Sequence, residues 1–397
     1  MSFLNVSFRA IAIIIKFLSL AFITRGLSDG ELDVYFLIIT ISAVVSQLFG
    51  LQTFHIVMRR FNRNNVKDVI DIQLYQHIVV LVFLVLNFIF FRNYIKEYIN
   101  HTILILLVLI LSEILVTEIS RLFIVIGESV YSNILACINS LNYLMFGLAI
   151  NYWPEVFSGL SSWTFLIVPT CLISISMFFF IFKKNGYNFF TRRFYKSDII
   201  TLVCDSKPYI ISQVLNLTII YLSRFILDYQ NISALLSYYS ILHSFSSVVS
   251  VFLTVGIIAP LSPMYMKGNT ITIKSIMVKT IIFSLIAILI LMVFYPVIVL
   301  FIGKDGLIDY QLDFLILLVG TTAFSVSQVL QLFFLKYEYD FVNLYSYAIS
   351  GGASIILGFM LIPIFHISGA AMTFLISSFV LLTIRIFFYN KYNQGKI

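Results

Sequence analysis

The sequence predicts an all-α integral membrane protein of about twelve transmembrane helices, arranged as two six-helix bundles with both termini in the cytoplasm. The chain has 397 residues, 60% of them hydrophobic and only 11% charged, where a soluble domain carries about 25% charged residues. Its mean hydropathy of +1.02 leaves too little polar surface for a fold that faces water. Short polar connections separate apolar runs long enough to cross the hydrocarbon, which takes about 20 residues each. Filled in this way, the length leaves no room for a catalytic domain of about 50 residues or more.

The spans fall at 4–26, 34–58, 74–91, 102–122, 130–151 and 161–182, then at 208–227, 234–259, 278–302, 311–335, 341–363 and 367–389. No small-residue cleavage pattern follows the first, so it reads as a retained helix rather than a signal peptide. The longest cytoplasmic connection lies at 183–207. Within it Ile199, Leu202 and Val203 share one helical face, the pattern of an interfacial amphipathic helix. Pro208 then suits the first turn of the seventh span. The joint divides the chain into an N-terminal bundle (1–182), a linker (183–207) and a C-terminal bundle (208–397). Tyr35–Ser46 (YFLIITISAVVS) and Tyr239–Ser250 (YSILHSFSSVVS) match at five of twelve positions. The halves therefore read as repeats of one orientation, related by an axis along the membrane normal.

Charge placement sets the orientation. Of the 25 Lys and Arg, 16 fall on the cytoplasmic side, five on the opposite side, and four (Arg9, Lys16, Lys207, Arg385) within or at the ends of spans. That asymmetry follows the positive-inside rule. Trp153 and Trp163 suit the outer aromatic belt. The net charge of +7 is scattered over short loops, so it forms no continuous face for a nucleic acid. Cys137, Cys171 and Cys204 lack metal-ligand spacing, and neither a zinc site nor a disulfide framework is indicated. No cofactor is expected.

The stretch FITRGLSDGELDVYFLI, across the first two spans, resembles the start of bacterial polysaccharide exporters of the Wzx flippase type. KPYIISQVLNLTIIYLSRFILDYQNISALLSYYSIL resembles the first helices of that family's second half. There the family often carries an Asp-Arg pair and then a Gly-x-Tyr. Here the pair is Ser223-Arg224, and Leu236-Ser237-Tyr238-Tyr239 stands for the second motif, so the arginine and tyrosine fit while the acid and glycine do not. The resemblance implies the MOP exporter fold, with two six-helix bundles around a central cavity in the bacterial inner membrane. It implies a flippase rather than an enzyme. The cargo would be an undecaprenyl-pyrophosphate-linked oligosaccharide, carried during O-antigen (lipopolysaccharide) or capsule synthesis. Its partners would be membrane lipids, an O-antigen polymerase and a chain-length regulator.

Moving such a cargo requires cations for the diphosphate and hydrogen-bonding groups for the sugars, both away from lipid. Lys16 falls near the middle of the first span, where a lysine costs about 2.5–3.5 kcal/mol to insert. Arg9 lies seven residues earlier on the same face, and the two form a graded path for phosphate. The plainer alternatives are that Arg9 snorkels to the headgroups and that Lys16 pairs with an internal carboxylate. Glu113, Thr117 and Arg121 form a polar stripe on the fourth span with Glu118 to one side. Glu113 and Glu118 are thus candidates for ion coupling, and Glu113 alternatively neutralises Lys16. Arg224 lies near the outer end of the seventh span, either pairing with Asp228 one turn later or contacting phosphate. Three amide pairs at i,i+3, namely Asn139 with Asn142, Gln213 with Asn216, and Gln328 with Gln331, suit sugar hydroxyls or helix–helix hydrogen bonds equally. His243 is a lone histidine with a structural or protonation role. Pro169, Pro260 and Pro296 are positioned to kink helices.

Other functions remain open. A drug or another lipid-linked glycan could ride the same fold. A polymerase or polytopic glycosyltransferase needs a large outer loop, and a channel needs a filter; neither is visible. The charge asymmetry yields a direct test. Reporter fusions at Lys67, Lys196 and Lys274 should read as cytoplasmic, and fusions at Asn100, Ser158 and Asp305 as periplasmic. One internal site on the wrong side breaks the twelve-span topology.

Overall fold

The computed structural model describes residues 3–49, 102–125, 128–155, 163–184, 196–230, 235–258, 261–262, 265 and 272–394. Every regular element among the described residues is helical. The expected third span, 74–91, lies outside the described residues.

Helices α1 (Phe3–Gly26) and α2 (Asp29–Phe49) form a hairpin. Its second arm starts five residues before the expected 34, and Ser28 and Glu31 explain why. Glu31 Oε2 accepts from Ser28 N at 3.1 Å and from Ser28 Oγ at 2.8 Å, tying the first turn to the residue before it. There follow α3 (Thr102–Val125), α4 (Ser129–Tyr152), α5 (Trp163–Lys184) and α6 (Lys196–Tyr229). The expected interfacial helix and seventh span are one helix, α6, which runs on through Pro208. A proline removes one backbone donor but does not end a helix whose remaining turns are supported.

Helix α7 (Leu235–Leu253) passes into a π-helical turn, Thr254–Ile258. Next comes α8 (Ile273–Val293), started by Thr272, whose hydroxyl accepts from Ser275 N at 3.3 Å. Pro296 divides the expected span 278–302. The ladder breaks at Phe294, and a short α9 (Tyr295–Ile302) follows with proline in its first turn. Gly303 closes α9 at φ +73°, a left-handed conformation that favours glycine. A 3₁₀ turn (Asp305–Tyr310) leads into α10 (Gln311–Lys336) and then α11 (Asp340–Gln394). His366 takes φ 49° and ψ −117° and bends α11, inside the connection expected between 363 and 367.

Seven of the described helices are long and apolar enough to cross a membrane. The last of them, Asp340–Asn393, has length for two crossings at about 20 residues each. Helix α8 shows what such a helix meets on its outside. Leu285, Leu289 and Val293 are 56, 67 and 73% exposed, a face that only lipid would cover.

The chain forms two compact units interleaved along the sequence. One contains Leu20–Thr40 and Val214–Ile397, and the other Ser7–Ser19 and Ile41–Gln213. In the first, α10 packs closely on α11 because Gly320 has no side chain. A Cβ there would lie 2.9 Å from Phe374 Cδ1 and 3.2 Å from the Leu375 Cα. The tip of the α1–α2 hairpin belongs to this unit. Lys304 Nζ meets Asp29 Oδ1 at 2.5 Å. Arg25 Nη2 donates to the Leu300 carbonyl at 3.1 Å, with its guanidinium 5.3 Å from the Phe301 ring centre. Asp33 Oδ1 accepts from Ser237 N at 2.7 Å in the first turn of α7. The second unit is joined by small polar contacts. Ser120 and Ser132 hydroxyls meet at 2.6 Å, and Cys137 Sγ donates to the Phe8 carbonyl at 2.9 Å. Such bonds let helix backbones approach closely in hydrocarbon.

Candidate functional site

Inside hydrocarbon every polar group must find its partner in the protein. Most hydroxyls here return to their own helix: Thr24 to Leu20 O at 2.9 Å, Ser174 to Thr170 O at 2.7 Å, Ser284 to Thr280 O at 2.7 Å. The side chains that do not behave this way mark the places where the sequence carries more polarity than packing requires.

In the second unit Glu113 of α3 is half-buried and accepts from Tyr143 Oη of α4 at 2.6 Å. No ion pair joins it to Lys16, so the expected alternative in which Glu113 neutralises Lys16 does not occur. The lysine itself is exposed on α1 and makes no ion pair among the described residues. Arg9 lies on α1, but its side chain is outside the described residues. Glu118 is buried and bonds Arg121 Nη1 at 2.7 Å, an i,i+3 ion pair along α3. Asn142 of α4 is buried with Oδ1 unpartnered, and Asn139 is half-buried one turn earlier. Gln213 of α6 donates to Gln47 Oε1 of α2.

The first unit holds two buried arginines. Arg385, on the second limb of α11, is fully enclosed. Its Nη1 donates to the Ser327 carbonyl of α10 at 2.8 Å, and its Nη2 to Asn343 Oδ1 at 2.6 Å. Its guanidinium lies 4.5 Å from the centre of the Tyr347 ring. Gln328 Nε2 donates to Tyr347 Oη at 3.0 Å, and that hydroxyl lies 3.3 Å from Gln331 Oε1. The pair Gln328 and Gln331 therefore bonds helix to helix.

Arg224, on α6, is 5% exposed. It does not pair with Asp228, the partner one turn away that local spacing suggests. Its Nη1 instead donates to Thr40 Oγ1 of α2 at 2.9 Å, and its Nη2 lies 3.3 Å from His243 Nδ1 of α7. A guanidinium can only donate, so Nδ1 carries the lone pair and the imidazole is neutral with its proton on Nε2. The His243 ring also stands edge-on to Phe374, 5.1 Å between centres, and 5.7 Å from the ring of Tyr239. Arg224 Nε is buried without a hydrogen-bond partner, as is Arg385 Nε. Asn216, two turns before Arg224 on α6, also has an unpartnered Oδ1.

The arrangement has no cluster of metal-ligating side chains among the described residues. What it offers is buried cationic and amide donors on apolar helices. Sequence reading singled out Arg224 and Tyr239 through their place in two motifs, but not their meeting with Thr40 and His243. It missed Arg385 as a buried group, since a basic residue near a span end ordinarily snorkels.

No family model matches the chain, and no curated protein matches it. Solved structures do match. The lipid II flippase MurJ, in an inward closed conformation, superposes with a TM-score of 0.72 at 13% identity, covering 96% of this chain and 87% of that one. An inward-facing MATE multidrug transporter of the MOP superfamily gives 0.71 at 9% identity, covering 99% and 98%. A MATE transporter of Vibrio cholerae gives 0.70 at 13% identity, covering 100% and 96%. The chain thus shares its fold with these solved membrane proteins.

Arg385→Leu strands the buried Asn343 Oδ1, at about 1–3 kcal/mol. Thermal unfolding of the purified protein should move down by several degrees. An unchanged midpoint would contradict this bracing role of Arg385.

Proposed function

We propose that this protein flips undecaprenyl-pyrophosphate-linked oligosaccharide repeat units across the bacterial inner membrane for O-antigen or capsular polysaccharide synthesis. The observation that carries the reading is a cation buried among transmembrane helices without a carboxylate to neutralise it, Arg224. Charge in that position is expensive and marks a path for an ion or a charged substrate. A cargo whose only charged part is a diphosphate needs such a group. The fold, shared with a lipid II flippase, supports a lipid-linked cargo.

In this reading Lys16, Arg9 and Arg224 receive the diphosphate in turn. Asn139, Asn142, Gln213 and Asn216 offer hydrogen bonds to sugars, and the free oxygens of Asn142 and Asn216 suit hydroxyl donors. Glu113 and Glu118 couple transport to an ion. The N-terminal and C-terminal halves of the chain act as the two moving bodies. Lys16 is exposed on α1, which suits a first contact. The second reading, export of a small molecule, draws on the likeness to MATE transporters.

Deleting the gene separates these. Loss of the surface glycan with lipid-linked repeat units retained on the inner leaflet is the expected result. Normal surface glycan with increased drug sensitivity would favour the small-molecule reading. Short, unpolymerised units reaching the surface would point to a polymerase instead.

A further inference from the structure

Helices α1 and α2 each belong to both compact units. Leu20–Thr40 lies in the unit with Val214–Ile397, whereas Ser7–Ser19 and the remainder of α2 lie in the other. A continuous helix shared in this way can follow two bodies only by bending or by letting go at one end. Sharp bends need proline, a glycine–serine pair or a π-bulge. Neither helix contains proline, and their glycines, Gly26 and Gly30, sit at the tip of the hairpin rather than at the crossover points near Ser19 and Thr40. Letting go at the tip is the motion that the hairpin permits.

The ties at the tip are of a kind that can be let go. They meet helix ends, where backbone groups lack partners in their own helix. Arg25 Nη2 donates to the Leu300 carbonyl at 3.1 Å in the last turn of α9, so a cation sits at a helix C-terminus. Asp33 Oδ1 accepts from Ser237 N at 2.7 Å in the first turn of α7, so a carboxylate sits at a helix N-terminus. Lys304, one residue past the Gly303 that ends α9, brings its Nζ to Asp29 Oδ1 at 2.5 Å, and the two side chains are 17 and 48% exposed. Exposed ion pairs of this sort contribute little and are screened by salt. Arg25 and Asp29 are both exposed, so water can serve them once they part from α9 and Lys304.

We propose that the hairpin tip, residues 20–40, is a releasable clasp. Arg25, Asp29 and Asp33 hold it to the end of α9, to Lys304 and to the start of α7, and it lifts from them reversibly in the folded protein. The Asp29–Lys304 pair is the tie that governs release, because it is charged on both sides and open to solvent. The deeper contact of Thr40 with Arg224, at 2.9 Å, falls where the clasped segment ends and marks the pivot. The clasp stands on these contacts alone; its use rests on the transport reading, in which the chain changes shape to pass its cargo.

The test uses the full chain in phosphatidylcholine nanodiscs, with Cys137, Cys171 and Cys204 changed to serine and one reporter added. That reporter is Ser237→Cys, at a fully buried position where the tip meets α7. Its rate of reaction with a polar maleimide reads how often the tip lifts. Lys304→Gln should raise the rate about two- to fivefold, the effect of losing one exposed ion pair. Asp29→Lys and Lys304→Asp should each raise it at least as far, and the two together should return it to the parent rate. Raising the salt to about 1 M should speed the parent more than Lys304→Gln. A second reporter, Ser346→Cys, at a buried position of the same unit near the α10–α11 turn, should react at one rate in every variant. Unchanged labelling of Ser237→Cys in the single variants overturns the clasp, as does a charge-swapped pair that reacts as fast as the singles. Equal acceleration at Ser346→Cys overturns it too, because the charge changes would then loosen the whole unit. The transport reading stands or falls separately on the deletion phenotype, which does not depend on these labelling rates.

Discussion

A guanidinium held in hydrocarbon by a hydroxyl and an imidazole is the interaction on which this structure turns. Water is absent from that layer, so a charge there is tolerated only where protein groups replace hydration. At Arg385 a carbonyl, an amide oxygen and an aromatic face meet the guanidinium, while its Nε has no hydrogen-bond partner. At Arg224 a hydroxyl and an imidazole nitrogen meet it, and its Nε likewise has no partner; the same low dielectric that strengthens a made hydrogen bond makes a missing one costly.

The rest of the helix packing follows the same constraint. Serines and threonines return their hydroxyls to carbonyls four residues back, as at Ser284 and Thr373. Helix contacts then depend on small residues such as Gly320, which allows α10 to meet α11 with Phe374 against its backbone. Polar ties that cross between helices are few and specific, such as Glu113 with Tyr143 and Gln328 with Tyr347. They fix helix rotation at the cost of committing those side chains, which is why Gln328 and Gln331 are less suited to sugar than Asn142 and Asn216.

Much of the fold was legible because a membrane imposes length and hydrophobicity directly on sequence. The ranges expected for α4, α5 and α10 differ from the observed ones by one or two residues. Errors arose where local chemistry outweighs bulk hydropathy. The Ser28–Glu31 capping pair starts α2 early, Pro296 divides one expected span into α8 and α9, and Pro208 fails to start a helix that is already under way. The site was legible only in part. Spacing along one helix suggested Asp228 for Arg224, because i,i+4 neighbours are the only partners that sequence displays. Thr40, 184 residues away in the chain, becomes a neighbour only through folding. Likewise Lys16 and Glu113 looked complementary as charges, yet Tyr143 occupies the carboxylate.

In the proposed function, negative charge on the carrier lipid is what the buried cations recognise. Reconstituted transport measures this most directly. The protein would be placed in proteoliposomes with a fluorescent disaccharide linked to a polyprenyl chain through a diphosphate, a monophosphate or an uncharged ether. Movement between leaflets would be read by quenching from outside. Translocation should be fastest for the diphosphate, slower for the monophosphate and slight for the ether. Equal rates for all three would contradict it.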